Sequence, residues 1–255
     1  WFDALFAALA AAVSGLVSFL MVKWKINFFI SLLATSFSLG FVVYGAHLAG
    51  VPLYMNSVVS GALMMLLPGL AFTSFMTDML MDDIISGLSV FSKTILTAVG
   101  LTLGTGFACT FLSSVTGSHT PLPADAPVHY TVPMLCLVIF LACLGFIPSF
   151  NIRGIVGILL CCFGSTLGCG IYLAGQSLHF GTYYSTFAAS VVVSVYANIF
   201  ARIRHFPVTA YLIVSYLPLV PGLRIYKLVR DFNMNDMDAS FKSFSGTIGI
   251  AFSIA

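Results

Sequence analysis

Glutamate is missing from this 255-residue chain, and charge of either sign is scarce. Charged residues make up 7% of the sequence, where a soluble domain carries roughly a quarter. Eight acidic and ten basic side chains cannot solvate a surface of this size in water, but they suffice if most of it faces lipid. With a net charge of +2 and no basic run, the chain has no footing for nucleic acid. No C-x-x-C spacing occurs among Cys109, Cys136, Cys143, Cys161, Cys162 and Cys169, and all six lie in apolar stretches as small buried thiols. The five histidines are scattered without metal-ligand spacing, so neither a metal site nor a cofactor is expected. The first residue is Trp1 rather than Met, and no basic segment or cleavage site follows it. Phe2–Val22 therefore reads as a membrane span rather than a signal peptide, with more chain expected upstream.

What is abundant is apolar sequence: 60% of residues are hydrophobic and the mean hydropathy is +1.07. A helix needs about 20 apolar residues to cross the hydrocarbon core. Nine stretches come close, at 2–22, 27–47, 52–72, 86–113, 130–148, 154–174, 182–201, 207–222 and 239–255. This predicts an all-α polytopic membrane protein embedded in the lipid bilayer. Basic residues mark cytoplasmic loops. Lys23 and Lys25, Arg153, and Arg202 with Arg204 fall on one side, taken as inside, and the uncharged loop at 175–181 falls outside. The loop 114–130, without Lys or Arg, also falls outside. Arg224, Lys227 and Arg230 break the rule, since they follow the eighth span and fall on the outer side.

The chain repeats itself. Leu66-Leu67-Pro68-Gly69-Leu70 returns as Leu219-Val220-Pro221-Gly222-Leu223, an offset of 153 residues (222 − 69). At the same offset Asp78 falls on Asp231, Asp83 on Asp236, Phe91-Ser92 on Phe244-Ser245 and Thr94-Ile95 on Thr247-Ile248. A shared Pro-Gly and two shared aspartates are hard to obtain by chance in apolar sequence. Run backwards, the offset pairs the first three spans with the sixth to eighth and leaves the fifth without a mate. The unit therefore has five helices, with the first helix of the first unit missing here. The domains expected are a first repeat at 1–116, an extracytoplasmic loop at 117–129 and a second repeat at 130–255. Five is odd, so tandem copies sit in opposite orientations, as inverted repeats.

Proline lacks a backbone donor and glycine permits a sharp turn, so Pro68-Gly69 and Pro221-Gly222 should break their helices. Broken helices inside a bilayer expose backbone groups and a positive dipole end to an anionic ligand, although an ordinary helix end would look the same. Asp78 and Asp231 suit a proton or a substrate amine, or lie at the membrane surface without a role. Asp83 and Asp236 precede the last helix of each unit and suit N-caps. Arg224, Lys227 and Arg230 could bind a carboxylate or form a solvated turn. Lys93 lies within the fourth span, about 15 Å along the axis from Asp83, and should snorkel to the surface or pair with an aspartate. Gly100-x-x-x-Gly104 and Gly164-x-x-x-Gly168 read as close helix packing. A membrane aspartyl protease built on Asp78 and Asp231 is disfavoured, because inverted copies separate the two carboxylates and no G-x-G-D occurs.

Leu67-Pro68-Gly69-Leu70-Ala71-Phe72-Thr73, followed by Asp78 and Asp83-Ile84-Ile85-Ser86-Gly87-Leu88, resembles the first half of the threonine/serine exporter (ThrE) family. Phe206-Pro207-Val208, then Pro218-Leu219-Val220-Pro221-Gly222 and Tyr226, resembles its second half. The resemblance implies ten helices in two halves, with Pro68, Gly69, Thr73, Asp78, Pro221, Gly222 and Asp231 lining the path. Lys93 departs from the family pattern, in which an acidic residue is usual nearby. The reading is a secondary exporter of a small carboxylate-bearing solute such as threonine or serine, not an enzyme. It is expected in the bacterial inner membrane, exchanging solute against protons by alternating access, with a homo-oligomer left open. The alternatives are a dicarboxylate (succinate-like) exporter and a passive channel of the same fold.

Overall fold

The computed structural model describes residues 2–64, 66–117, 131–146, 154–233 and 237–255. Every element among them is helical. The first repeat contributes α1 (Phe2–Lys23), α2 (Phe28–Leu48), α3 (Met55–Leu63), α4 (Gly69–Leu80) and α5 (Ile84–Thr116). The second contributes α6 (Val132–Phe146), α7 (Ile155–Ser177), α8 (Thr182–Arg204), α9 (Val208–Tyr216), α10 (Gly222–Asn233) and α11 (Met237–Ile254). Five of these, α1, α2, α5, α7 and α8, are long and apolar enough to cross a membrane. The chain is a multi-pass membrane protein.

The stretches at 52–72 and 207–222 are not continuous spans. Each is split: α3 ends at Leu63 and α4 begins at Gly69, while α9 ends at Tyr216 and α10 begins at Gly222. A nine-residue helix rises only ~14 Å, less than half the hydrocarbon thickness. The cause is local. Leu66 and Leu67 both donate to the Leu63 carbonyl, at 2.8 and 3.1 Å, and Leu219 and Val220 both donate to the Tyr216 carbonyl, at the same two distances. This tightened last turn precedes a proline with no N–H to continue the ladder.

The helices repeat as the sequence does. From α3 to α5 the correspondence is 153 residues: 208 − 55, 222 − 69 and 237 − 84 give the starts of α9, α10 and α11. Across α1 and α2 it is 154. Lys25 and His179 (179 − 25) hold the same left-handed position in the turn between helices, with φ of 53° and 61°, and the next helix starts at Phe28 or Thr182. Ser36 donates to the Gly100 carbonyl of α5 at 3.2 Å. Its mate Ser190 donates to the Ser253 carbonyl of α11 at 2.9 Å. One residue is thus gained before the α7–α8 turn and lost again before α9.

Two compact units cut across this division. α1, α2, α3 and most of α5 form the first unit together with α10 and the opening of α11, up to Phe244. α6 to α9 and the rest of α11 form the second, together with α4 and the first turn of α5. Each repeat therefore gives the helix that follows its Pro-Gly break to the other unit.

Inside each unit, small residues let helices close up. In the first, a Cβ added at Gly100 would lie 3.3 Å from Leu32, and one at Gly104 would collide with the Ser36 hydroxyl. In the second, Gly164 is pressed against Ser215 and Tyr196, and Gly168 against Val193. Both Gly-x-x-x-Gly pairs thus serve packing. Leu39, Val43, Val58, Leu63 and Leu101 fill the core of the first unit, and Cys161, Cys162, Ala197, Tyr211 and Val214 fill that of the second.

Candidate functional site

In the first unit, α10 is the element that brings charge into an apolar surround. Pro221 and Gly222 are buried at its start. A Cβ added at Gly222 would lie 3.5 Å from both the Gly69 Cα and the Leu67 Cβ, so the backbone passes closely at this point. One face of α10 is inserted: Ile225 is 1% exposed and Tyr226 5%. Tyr226 joins the core of the unit, with Tyr44 of α2 packed against the same cluster. Its hydroxyl lies beside that of Thr105 on α5. One turn further along α10, Arg230 holds Asp231: Nη2 donates to Oδ1 at 2.9 Å and Nε to the same oxygen at 3.1 Å. The two side chains are 26% and 14% exposed, and they form the one ion pair found among the described residues. Arg224 and Lys227 are half-buried on the same helix.

The counterpart in the second unit is α4, which carries hydroxyls where α10 carries bases. At an offset of 153, Thr73 matches Tyr226, Ser74 matches Lys227, Thr77 matches Arg230 and Asp78 matches Asp231. Thr73 is buried, and its hydroxyl donates to the Leu70 carbonyl at 2.8 Å. Thr77 does the same to the Thr73 carbonyl at 3.2 Å. Among the described residues no cation pairs with Asp78; its Oδ2 accepts from the Ser86 hydroxyl at 2.9 Å. Asp78 and Asp231 are therefore equivalent by repeat but not by environment.

The remaining sequence-chosen residues separate. Asp83 is exposed, and its Oδ1 accepts from the Ser86 N–H at 3.3 Å, an N-cap on α5. Lys93 is exposed, with its ammonium 5.5 Å from the centroid of the Phe28 ring, a cation–π arrangement. Pro68 is half-buried and Gly69 buried at the first break. Asp236 lies outside the described residues. A cavity of about 600 Å³ is lined chiefly by apolar side chains of α5, α10 and α11, with Asp238 and Ser240 the polar ones. It has little to offer a charged solute.

Two family models divide the chain as the repeat does. Residues 135–255 match the model described as Threonine/Serine exporter, ThrE, and residues 1–112 match a second threonine/serine exporter model, ThrE. The chain belongs to the threonine/serine exporter family. Members of this family are transporters, not enzymes, and this exporter carries amino acids across a lipid bilayer. No curated protein and no solved structure matches it.

Several residues of the exporter's polar clusters had no signal in the sequence. Tyr44, Thr105 and Ser86 are separated in the chain from the residues they serve, and hydroxyl-bearing residues in an apolar helix most often satisfy their own backbone. Ser194 of α8 and Tyr216 of α9 are another such pair, joined hydroxyl to hydroxyl in the second unit.

Proposed function

We propose that the chain exports a small amino acid of the threonine or serine kind, coupled to protons, by alternating access between two inverted repeats in the bacterial inner membrane. The observation that carries this reading is the pair of half-helices. α4 and α10 begin on the glycine of the same Pro-Gly motif, both have 12 residues, and both bear an aspartate nine residues on. A half-helix beside a break brings its polar and charged side chains into an apolar surround, and α10 carries Arg230 there, in its last turn.

In this reading the solute carboxylate is taken by the Arg230 guanidinium, whose planar fork suits it. Asp231 already occupies that fork, so solute and Asp231 compete. For exchange the solute-free carrier must hold the proton, and Asp231 and Asp78 are the carboxylates proposed to carry it. Asp78, which accepts from the Ser86 hydroxyl, is the matching carboxylate of the other repeat. With α9 and α10 counted as one broken span, the second repeat has five spans. An odd number supports the inverted arrangement.

The three basic residues on α10 favour one second reading, export of a dicarboxylate. The test is counterflow in proteoliposomes loaded with unlabelled threonine. Saturable uptake of labelled threonine, stimulated by the internal pool, is expected. A flux that rises linearly with concentration and ignores the internal pool would indicate a passive pore.

A further inference from the structure

Two buried polar side-chain atoms have no hydrogen-bond partner among the described residues: the Ser215 hydroxyl and the His47 Nδ1. Packing accounts for the first, which is pressed against Gly164 where α7 and α9 close up. The second has no such account. His47 is half-buried in the last turn of α2. A buried ring nitrogen left unpaired is costly to keep.

The fold does not ask for histidine at this position. At the offset of 154, His47 matches Ala201 (201 − 47) and Tyr44 matches Asn198 (198 − 44). Ala201 is 2% exposed and fills the core of the second unit. Asn198 is exposed and donates to the Ser194 carbonyl of its own helix at 2.9 Å. The half-helices differ in the same sense, since α10 carries Tyr226 and Arg230 where α4 carries Thr73 and Thr77. At these four matched positions the first unit holds side chains that bear charge or exchange protons, and the second unit holds side chains that do not.

All of these groups lie within the first unit. Tyr44 is one turn before His47, on the same side of α2, and its hydroxyl is within electrostatic reach of Arg230 and Tyr226. Arg230 in turn holds Asp231. Of the other elements packed against α2, α1 brings Asp3 to this end, α3 is entered through Tyr54, and α5 brings Cys109. Asp3 is engaged by the backbone, its Oδ1 accepting from the Tyr54 N–H at 3.3 Å.

We propose that His47 is the proton station on the outer side of the first unit, and that it loads the Asp231 carboxylate once the solute has left. The proposal rests on the proton-coupled export put forward above. α2 runs away from Lys23 and Lys25, so by loop charge its last turn lies toward the outer face, from which the proton gradient drives export. Histidine is the side chain suited to taking up and returning a proton near neutral pH. The step moves one proton and no electrons: an N–H of the imidazolium breaks, an O–H forms on Asp231, and the neutral imidazole takes its next proton from outer water.

The experiment measures two rates in proteoliposomes, threonine counterflow at equal pH and threonine efflux into an acid bath, in wild type and His47→Gln. Counterflow needs only the solute-loaded steps, whereas net efflux needs the empty carrier to return with its proton. In the wild type, efflux is expected to rise as the bath pH is lowered through the neutral range. In His47→Gln that rise should be lost and pH-driven efflux should fall about tenfold or more, because a positioned proton-transfer group typically contributes ~10²-fold or more. Counterflow should stay at the wild-type level. If the glutamine variant fails to fold, His47→Ala carries the test, because the second repeat packs alanine at the matching position. Undiminished pH-driven efflux in the variant would overturn the proton station alone. An equal loss of counterflow, in a variant that unfolds at the wild-type temperature, would also overturn it, since His47 would then serve the solute. A wild type whose efflux ignores the pH gradient would overturn the proton coupling, and the station with it.

Discussion

Arg230 holds the carboxylate of its own neighbour, Asp231, through two donors to one oxygen, at 2.9 and 3.1 Å. Adjacent residues on a helix point about 100° apart, so the guanidinium must fold back to reach, and the pair occupies one edge of a group built to grip a carboxylate with two. If Asp231 competes with the solute, Asp231→Asn should tighten solute binding while uncoupling it from pH. The apparent KM for threonine in counterflow is expected to fall about tenfold, in line with a net ~1.4 kcal/mol released by the freed guanidinium. An unchanged or raised KM would rule out competition.

Arg230→Lys keeps the charge and loses the planar fork. Threonine counterflow should drop at least tenfold, because an ammonium cannot give two parallel hydrogen bonds to one carboxylate. Flux equal to wild type would mean that Arg230 acts only as a diffuse positive charge.

Asp83 serves α5 rather than the path. Asp83→Ala should cost about 1 kcal/mol, read as a lower unfolding temperature of the purified protein, and Asp83→Asn should cost only a few tenths, since asparagine caps as well. Asp83→Asn should leave threonine exchange at the wild-type level. Loss of exchange with stability intact would return Asp83 to the path.

Gly104 and Gly106 are two residues apart on α5 and should respond in opposite ways. A Cβ at Gly104 would collide with the Ser36 hydroxyl and lie 2.6 Å from the Leu33 carbonyl oxygen, whereas one at Gly106 meets nothing within 4 Å. Gly104→Ala is expected to destabilise by about 1–3 kcal/mol, and Gly106→Ala to stabilise by about 0.5–1 kcal/mol through helix propensity. Thermal unfolding of the two variants side by side checks both.

Much of this architecture was legible because Pro-Gly and aspartate stand out in an apolar chain. The breaks at Pro68 and Pro221, the repeat at 153 and the cap at Asp83 were all readable from residue type and spacing. The register of α1 and α2 was not. Their mates α7 and α8 share few polar markers with them, and the one-residue shift shows only in the turn, where Lys25 and His179 adopt the same φ with unlike side chains. Nor was the exchange of α4 and α10 between compact units visible, since chain order places each half-helix directly after its own break. The Arg230–Asp231 pair escaped notice because neighbouring residues on a helix do not ordinarily face each other.

The most direct test of proton-coupled export is threonine efflux from proteoliposomes under an imposed pH gradient, in wild type, Asp78→Asn, Asp231→Asn and the double variant. The account predicts that the gradient accelerates efflux in the wild type and has no effect in the double variant, while counterflow without a gradient persists in Asp231→Asn. Undiminished pH-driven efflux with both aspartates replaced would contradict it.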